Sequence, residues 1–201
     1  RPKSAVKNYQ NQNIIVEING SNVSHPGYYW LAYAWQNFLP TCELCNSVTK
    51  KRTHGQRIGK GNLFPVKNFR AVVPGEETRE EPLILNPLVD DPSDHLSIDR
   101  TGLITPVDSS EEGKVCLSVF GLNKREALVT ARKEKYDEAR TLTKAYLVAL
   151  EMDGKEVDKQ YGKLKAFREG KLPYSMAAIQ AIKDTVEEHH ENIKKLNTLV
   201  N

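Results

Sequence analysis

The chain contains three cysteines, and two of them stand three positions apart in the sequence Cys42-Glu43-Leu44-Cys45-Asn46. Two thiolates at this spacing can bind one Zn²⁺ from the same turn, as one half of a site with four ligands. This pair is the sharpest chemical signal in the sequence. Three interpretations are open for it, namely half of a zinc knuckle, a redox Cys-x-x-Cys, or two unrelated thiols.

The rest of the sequence does not supply an obvious second half of a metal site. A redox Cys-x-x-Cys normally opens a helix directly after a strand, and that order is not predicted around the pair. We expect the third cysteine, Cys116, to be a small buried hydrophobic residue and not a ligand. None of the five histidines has ligand spacing: His54 is nearest in sequence, and His189 and His190 lie on a charged helical stretch. The choice between the three interpretations of the cysteine pair therefore depends on the flanking residues.

The charges of the sequence are distributed unevenly, although the net charge is only +3. Residues 1–70 contain 10 Lys and Arg against 2 Asp and Glu, residues 71–112 contain 2 against 11, and the remainder contains 17 against 13. A basic N-terminal third suits a polyanionic partner, because phosphate binding is driven largely by Lys and Arg contacts. The acidic middle could fold against this basic third or simply be solvated.

The composition, 39% hydrophobic and 27% charged residues, is ordinary for a soluble globular protein and excludes wholesale disorder. No apolar stretch approaches the roughly 18 residues that span a bilayer, and no leader precedes a cleavage site, so we expect a cytoplasmic protein without membrane contact. The first residue is Arg1 and not Met, which predicts that the sequence begins inside a longer chain.

Short strands and loops are predicted in the first 121 residues. Ile14–Val16 and Val115–Phe120 have the character of strands, Thr101-Gly102 is typical of a hairpin turn, and the basic stretch Lys50–Asn62 is typical of a loop. A cluster of rings predicts a local core, with stacking on nucleic-acid bases as the alternative. Its members are Tyr28, Tyr29, Trp30, Tyr33 and Trp35.

Helices are predicted beyond Leu122. Asn123 can cap a helix that runs to about Glu151 and ends at Gly154, and apolar residues at three- and four-residue steps predict two more, over about 157–168 and from about Ser175 onwards. The sequence thus predicts an α+β protein with two domains, divided after residue 121. The default role of the helical region is packing and partner contact.

The residues around the cysteine pair resemble a known family. The order of motifs is similar to that of the HNH endonucleases of retron and Septu anti-phage defence systems, the PtuB-like proteins. The resemblance spans about residues 1–135. It rests on Arg1-Pro2-Lys3-Ser4, Tyr29-Trp30-Leu31-Ala32-Tyr33-x-Trp35-x-Asn37, Cys42-x-x-Cys45-Asn46-x-x-x-Lys50, Phe64-Pro65, Leu83-Ile84-Leu85-Asn86-Pro87, Asp91-Pro92, Gly102, Leu122-Asn123-Lys124-Arg125 and Arg132.

This resemblance implies a ββα-metal (HNH) nuclease core with a zinc knuckle in the first domain, followed by a mainly helical C-terminal region. In such nucleases an acid and a helix-borne Asn or His bind one divalent cation such as Mg²⁺, and a His beside the acid activates water. By position, Asn46 matches the helix-borne metal ligand. Asn37 matches the central Asn, whose amide fixes the loop that carries the general base. Cys42 and Cys45 match two ligands of the structural Zn²⁺.

The resemblance also implies which residues contact the substrate and which are missing. Basic residues at the start of the chain and after the metal helix would neutralise phosphates, or would simply be solvated. They are Arg1, Lys3, Lys50, Lys51 and Arg52. The general-base His, the acidic metal ligand and a first pair of zinc cysteines are expected upstream of Arg1.

Two functions from different classes follow. The first is a metal-dependent endonuclease subunit that acts on nucleic acid with an ABC or SMC-like ATPase of the PtuA type, and with a retron reverse transcriptase and its DNA–RNA product. The second is a catalytically incomplete zinc-knuckle module that binds this partner or nucleic acid. A redox thiol protein is the least favoured alternative.

Overall fold

Small two-stranded sheets, one short α-helix, four longer α-helices and short 3-10 turns form the described part of this protein. The computed structural model describes residues 1–48, 58–151 and 157–200. Within these ranges the fold is α+β, as the sequence predicts. The described helices include none that is long and apolar enough to cross a membrane.

The chain forms two compact units, and each of them is discontinuous in sequence. The first unit contains residues 1–95 and 106–124, and the second contains residues 96–105 and 125–201. The division into two domains after residue 121 stays a prediction from the sequence.

An antiparallel hairpin opens the first unit. Strand β1 is Ile15–Ile18 and strand β2 is Ser21–Ser24, and Ile18 pairs with Ser21 across the turn. Asn19 and Gly20 both have positive φ, which is the conformation that a two-residue hairpin turn requires. The strand predicted at Ile14–Val16 therefore exists, displaced by about one residue.

The core of the first unit is built around Tyr28, which is fully buried. It packs with Val6, Phe64 and Ala71, and the ring of Trp30 meets it edge-on at 5.5 Å. The predicted aromatic core is thus right for Tyr28 and Trp30. It is wrong for three others, because the turns that carry them direct their side chains outward. The exposed fractions are 58% for Tyr29, 96% for Tyr33 and 83% for Trp35.

Helix α1 is a single turn, Glu43–Asn46, and helix α2 is Glu111–Phe120. The strand predicted at Val115–Phe120 is wrong. Ser110 accepts a hydrogen bond from the backbone of the first turn of α2, and Gly121 ends the helix in the left-handed conformation. These two caps select a helix, and Cys116 is buried on it, as expected of a small hydrophobic residue.

The second unit begins with the predicted hairpin. Strand β3 is Leu96–Ile98 and strand β4 is Ile104–Pro106, of which the last residue, Pro106, already belongs to the first unit. The carboxylate of Asp99 accepts hydrogen bonds from the backbone of Thr101 and Leu103, which closes the turn.

Three helices complete the second unit. Helix α3 is Glu126–Glu151, α4 is Val157–Arg168 and α5 is Ser175–Val200. The bounds of α4 and the start of α5 match the prediction. Helix α3 begins three residues beyond the predicted cap, Asn123, and the predicted stop at Gly154 lies outside the described residues.

The three helices pack around small and aromatic side chains. The buried members of this core are Tyr136, Ala139, Phe167, Ala178 and Ala181. At its edge the hydroxyl of Tyr136 donates a 2.5 Å hydrogen bond to Asp184, and Arg140 donates to both carboxylate oxygens of Glu188 at 2.8 and 3.2 Å. These polar contacts fix the register of α3 against α5.

Candidate functional site

Helix α1 carries the cysteine pair. The amides of Cys45 and Asn46 donate to the carbonyl of Cys42 at 3.1 and 3.0 Å, so the backbone closes one turn between the two thiols. Cys42 is exposed and Cys45 is half-buried. Two thiols on one turn fit two of the four positions of a zinc site. Within the described ranges, no three His, Cys, Asp or Glu side chains lie together as a metal site.

The segment from Ile58 to Gly61 packs against the end of this turn. The amide of Lys60 donates to the carbonyl of Cys45 at 2.7 Å, and the amide of Gly61 donates to the carbonyl of Asn46 at 2.6 Å. The last carbonyls of a helix have no partner inside it. Here a neighbouring segment satisfies them and fixes the position of α1.

This close approach requires glycine at position 59. Gly59 has a φ of +100°, and a Cβ built on it would lie 2.1 Å from the carbonyl oxygen of Ser47. Any other residue would have to push α1 and the segment apart.

Asn46, the predicted metal ligand, lies on the wall of an open polar depression of about 420 Å³. Lys7 is the one cationic residue among the described residues of the lining, and its amide donates to the carbonyl of Asn62 at 2.9 Å. The described residues that line it are Lys7, Asn11, Asn46, Ser47, Val48, Gly61 and Asn62. It is accessible to a charged ligand the size of a phosphate.

Asn37, the predicted central Asn, holds the backbone of Arg1 on both sides. Its Oδ1 accepts from the Arg1 backbone nitrogen at 2.7 Å, and its Nδ2 donates to the Arg1 carbonyl at 3.1 Å. A third bond, from Nδ2 to the carbonyl of Leu31 at 3.3 Å, orients the amide. The side chain therefore fixes the backbone at Arg1, and its role as the central Asn of the motif stays a prediction.

The side chain of Arg1 faces inward. Its Nε donates to Glu80 at 2.8 Å, its Nη2 donates to the carbonyl of Glu77 at 3.0 Å, and its guanidinium lies 5.3 Å from the ring centre of Phe64. Only 24% of the side chain is exposed. The predicted contact of Arg1 with nucleic acid remains a prediction, and this guanidinium already has intramolecular partners.

Glu80 accepts the hydrogen bonds that hold this region together. Its carboxylate, which is fully buried, accepts from the hydroxyl of Tyr28 at 2.5 Å and from the amide of Ala71 at 2.9 Å as well as from Arg1. A buried carboxylate is tolerated only when it is paired in this way. Together with the 2.8 Å ion pair of Lys67 and Glu112, it confirms that part of the acidic middle folds against the basic third.

One residue near the site was missed by the sequence analysis. Burial lowers the pKa of Lys60 from 10.5 to about 8, and its backbone is bound to α1. The signal that could have found it is the sequence Gly59-Lys60-Gly61, which allows close backbone approach. Of the other predicted cations, Lys3 is exposed. The remaining three, Lys50, Lys51 and Arg52, lie outside the described residues.

Comparison with known proteins gives two similar sequences. The Septu protein PtuB of Bacillus mycoides (strain KBAB4) is 33% identical over the whole of this chain, which covers 69% of that relative. The chain belongs to the Septu PtuB family. The sequence motifs predicted this family, and the comparison confirms it.

A second Septu protein is also similar in sequence to this PtuB family member. The Septu protein PtuA of the same strain is 31% identical over 67% of the chain, which spans only 18% of that relative. No family model and no solved structure matches the chain.

Proposed function

We propose that this member of the PtuB family is the nuclease subunit of a Septu anti-phage defence complex, with a ββα-metal active site of the HNH type in its first unit. One observation carries the proposal. Asn46, at the end of the cysteine-bearing turn, lines an open polar depression together with Lys7. A depression whose lining includes a side-chain amide and a lysine suits a phosphodiester, which is both an anion and a ligand of hard cations.

The donor chemistry of this depression fits a hard divalent cation. Mg²⁺ takes oxygen ligands, keeps several waters and needs few protein groups, and the side-chain oxygen of Asn46 is such a ligand. A bound cation would polarise the scissile phosphate and stabilise the leaving oxygen. Lys7 would hold a neighbouring phosphate oxygen. The acid and the general-base His are expected upstream of Arg1, and Asn37 would support that segment through the Arg1 backbone.

The cysteine pair would hold a structural Zn²⁺ that keeps α1 in place. Cys42 and Cys45 supply two soft thiolate ligands from one turn, which matches half of a zinc knuckle. The other half is expected upstream of Arg1. Because α1 is a single turn, it has little stability of its own, and a bound metal would supply it.

We propose nucleic acid and a PtuA-like ATPase as partners. Membership in the PtuB family and the sequence similarity to a PtuA protein both support a Septu context. A retron reverse transcriptase with its DNA–RNA product is a further partner that the motif resemblance suggests. The target could be DNA or RNA, because an HNH site reads a phosphodiester and the surrounding surface sets selectivity.

The alternative is a zinc-knuckle module that binds its partner or nucleic acid without cleaving it. The observation that favours it is the inward-facing guanidinium of Arg1, which is occupied by Glu80. In that case the depression at Asn46 would bind a phosphate and catalyse nothing.

The experiment compares wild-type protein, expressed from its complete reading frame, with the Asn46→Ala variant. Cleavage of labelled duplex DNA, single-stranded DNA and RNA is measured with Mg²⁺, ATP and the PtuA-like subunit. We expect Mg²⁺-dependent cleavage by the wild type and a loss on the order of 100-fold or more in the variant, since a metal ligand is removed. Asn22→Ala, on the exposed strand β2, is the matched control.

The two proposed functions give different results. Binding of nucleic acid by the wild type without cleavage under any of these conditions supports the non-catalytic module. If the wild type cleaves and Asn46→Ala cleaves equally well with an unchanged melting temperature, the metal assignment is wrong.

A further inference from the structure

A second surface feature lies in the second unit, on the helices α3, α4 and α5. It is an apolar groove of about 360 Å³. Its described lining residues are Thr143, Tyr146, Leu147, Tyr161, Leu164, Lys165, Arg168, Ile179, Ile182, Lys183 and Val186. We refer to it as the helical groove. None of its described lining residues is assigned to the candidate nuclease site.

The floor of the helical groove is formed by aliphatic and aromatic side chains. The rings of Tyr146 and Tyr161 stack with their centres 6.0 Å apart, and half of Tyr161 is exposed. Leu164 closes the bottom and is buried. Apolar surface left in contact with water is unfavourable, and a contiguous apolar groove typically marks a binding site.

The rim of the helical groove carries charge of one sign. Lys165, Arg168 and Lys183 are exposed cations in its lining, and the described lining contains no carboxylate. Lys165 lies 3.9 Å from the carboxylate of Glu169, and an exposed ion pair at this distance is weak. An apolar floor with a cationic rim is complementary to an apolar ligand that carries carboxylates at its edges.

The length of the groove matches a short piece of helix. Along α5 its lining runs from Ile179 to Val186, which is two helical turns, or about 10 Å. A helix that lies in such a groove presents apolar side chains at i, i+4 and i+7 along the same length.

We propose that the helical groove binds an amphipathic helix of a partner protein, with apolar side chains in the groove and Asp or Glu on both borders against the cationic rim. This interaction goes beyond the proposed nuclease function and does not depend on cleavage. Other occupants of a groove with this chemistry would be a second copy of the chain or an anionic lipid, and the test distinguishes them.

The test uses fluorescein-labelled helical peptides and the full chain. The acidic probe has leucines at i, i+4 and i+7 with glutamates on both borders. One matched probe has lysines in place of the glutamates, and another has serines in place of the leucines. By fluorescence anisotropy we expect the acidic probe to bind at least about tenfold more tightly than either matched probe, and more weakly as salt is raised.

Variants of the protein locate the binding. Lys183→Glu and Tyr161→Ser should each weaken binding of the acidic probe by about tenfold or more, and Lys183→Glu should also improve binding of the lysine probe. Lys144→Glu, an equal charge change on exposed α3 surface outside the lining, should leave binding unchanged. Both groove variants change exposed residues, and a melting curve verifies folding. If one unfolds, the other carries the test.

Four results would overturn the proposal. Equal binding of the acidic and lysine probes would remove the charge argument, and unchanged binding by both groove variants would move the site elsewhere. A doubled mass in light scattering that Tyr161→Ser returns to a monomer would indicate a second copy. Binding to phosphatidylglycerol vesicles without binding of the acidic probe would indicate a lipid surface.

Discussion

The hydroxyl of Tyr28 donates a 2.5 Å hydrogen bond to the carboxylate of Glu80, across 52 positions of sequence. The same carboxylate pairs with Arg1, which Asn37 holds by its backbone. One buried anion thus connects the core of the first unit to the segment that begins the described chain. The packing of Tyr28 and the position of Arg1 are coupled through it.

Replacing Glu80 with Gln should destabilise the protein by about 3 kcal/mol, because the guanidinium of Arg1 loses its counter-charge in a buried position. Tyr28→Phe should cost only about 1 kcal/mol, since the carboxylate keeps two other donors. Urea denaturation measures both values. A Glu80→Gln variant as stable as the wild type would show that the buried charge contributes nothing to folding.

Stability should fall as the pH is lowered below about 6.5, and His25 should account for part of the loss. Its Nδ1 accepts from Gly27 at 2.9 Å and its Nε2 lies 2.8 Å from the carbonyl of Ala71, which fits a neutral ring. Burial lowers the pKa of His25 below 6.5. As the pH falls, His25 therefore binds a proton more readily in the unfolded chain than in the folded chain, so lowering the pH favours unfolding.

The measurement is the melting temperature between pH 7.5 and 5.5. His25→Gln should be less stable at pH 7.5 and should lose part of the pH dependence. His95→Gln, which changes a more exposed histidine, is the control. Identical pH dependence in the wild type and His25→Gln would contradict the assignment.

Removing a proposed zinc ligand should release the metal and lower the stability of the protein together. We expect Cys42→Ser, in the protein from the complete reading frame, to lose bound Zn²⁺ by elemental analysis, and chelation of the wild type to lower its melting temperature. Cys116→Ala changes a buried thiol of α2 and should keep its zinc. Full zinc occupancy in Cys42→Ser would refute the knuckle.

Alanine substitutions at two glycines distinguish the cost of a steric conflict from the cost of backbone strain. Gly59 and Gly75 both have φ above +90°, but an added Cβ would strike Ser47 only in the first case and would meet nothing within 4 Å in the second. Gly75→Ala should cost about 1 kcal/mol of strain, whereas Gly59→Ala should cost at least about 2 kcal/mol. Chemical denaturation measures both.

Gly59→Ala should also weaken the candidate site, because it displaces the segment that binds the end of α1. The loss of zinc or of nucleic-acid binding in Gly59→Ala is compared with the loss in Gly75→Ala. Equal losses in the two variants would contradict the role assigned to the close approach.

The helices α4 and α5 could be predicted because their apolar residues recur at helical spacing over long stretches. Helix α2 could not, since a short apolar run fits a strand as well, and the caps at Ser110 and Gly121 decide the outcome. The rings of Tyr33 and Trp35 were expected inside, but composition does not give the direction in which a turn points a side chain.

For the candidate site, the sequence motifs predicted which local residues stand together on α1. The sequence did not predict which distant residues support them. Glu80 binds Arg1 from 79 positions away, and the amides of Lys60 and Gly61 bind carbonyls of α1 although a basic stretch of sequence separates them. Such long-range pairs depend on the whole fold and leave no local pattern. The metal, nucleic-acid and catalytic roles stay predictions.

The discontinuity of the two units limits how this gene can be divided. A protein shortened to end at Lys124 would keep the hairpin of β3 and β4 but lose α3, on which Gly102 rests so closely that an added Cβ would lie 2.3 Å from the carbonyl of Val129. Residues 96–105 would then lose their contact with α3, and their apolar side would be exposed. Exchange of the helical region between relatives by recombination would therefore succeed only when this ten-residue insert travels with it.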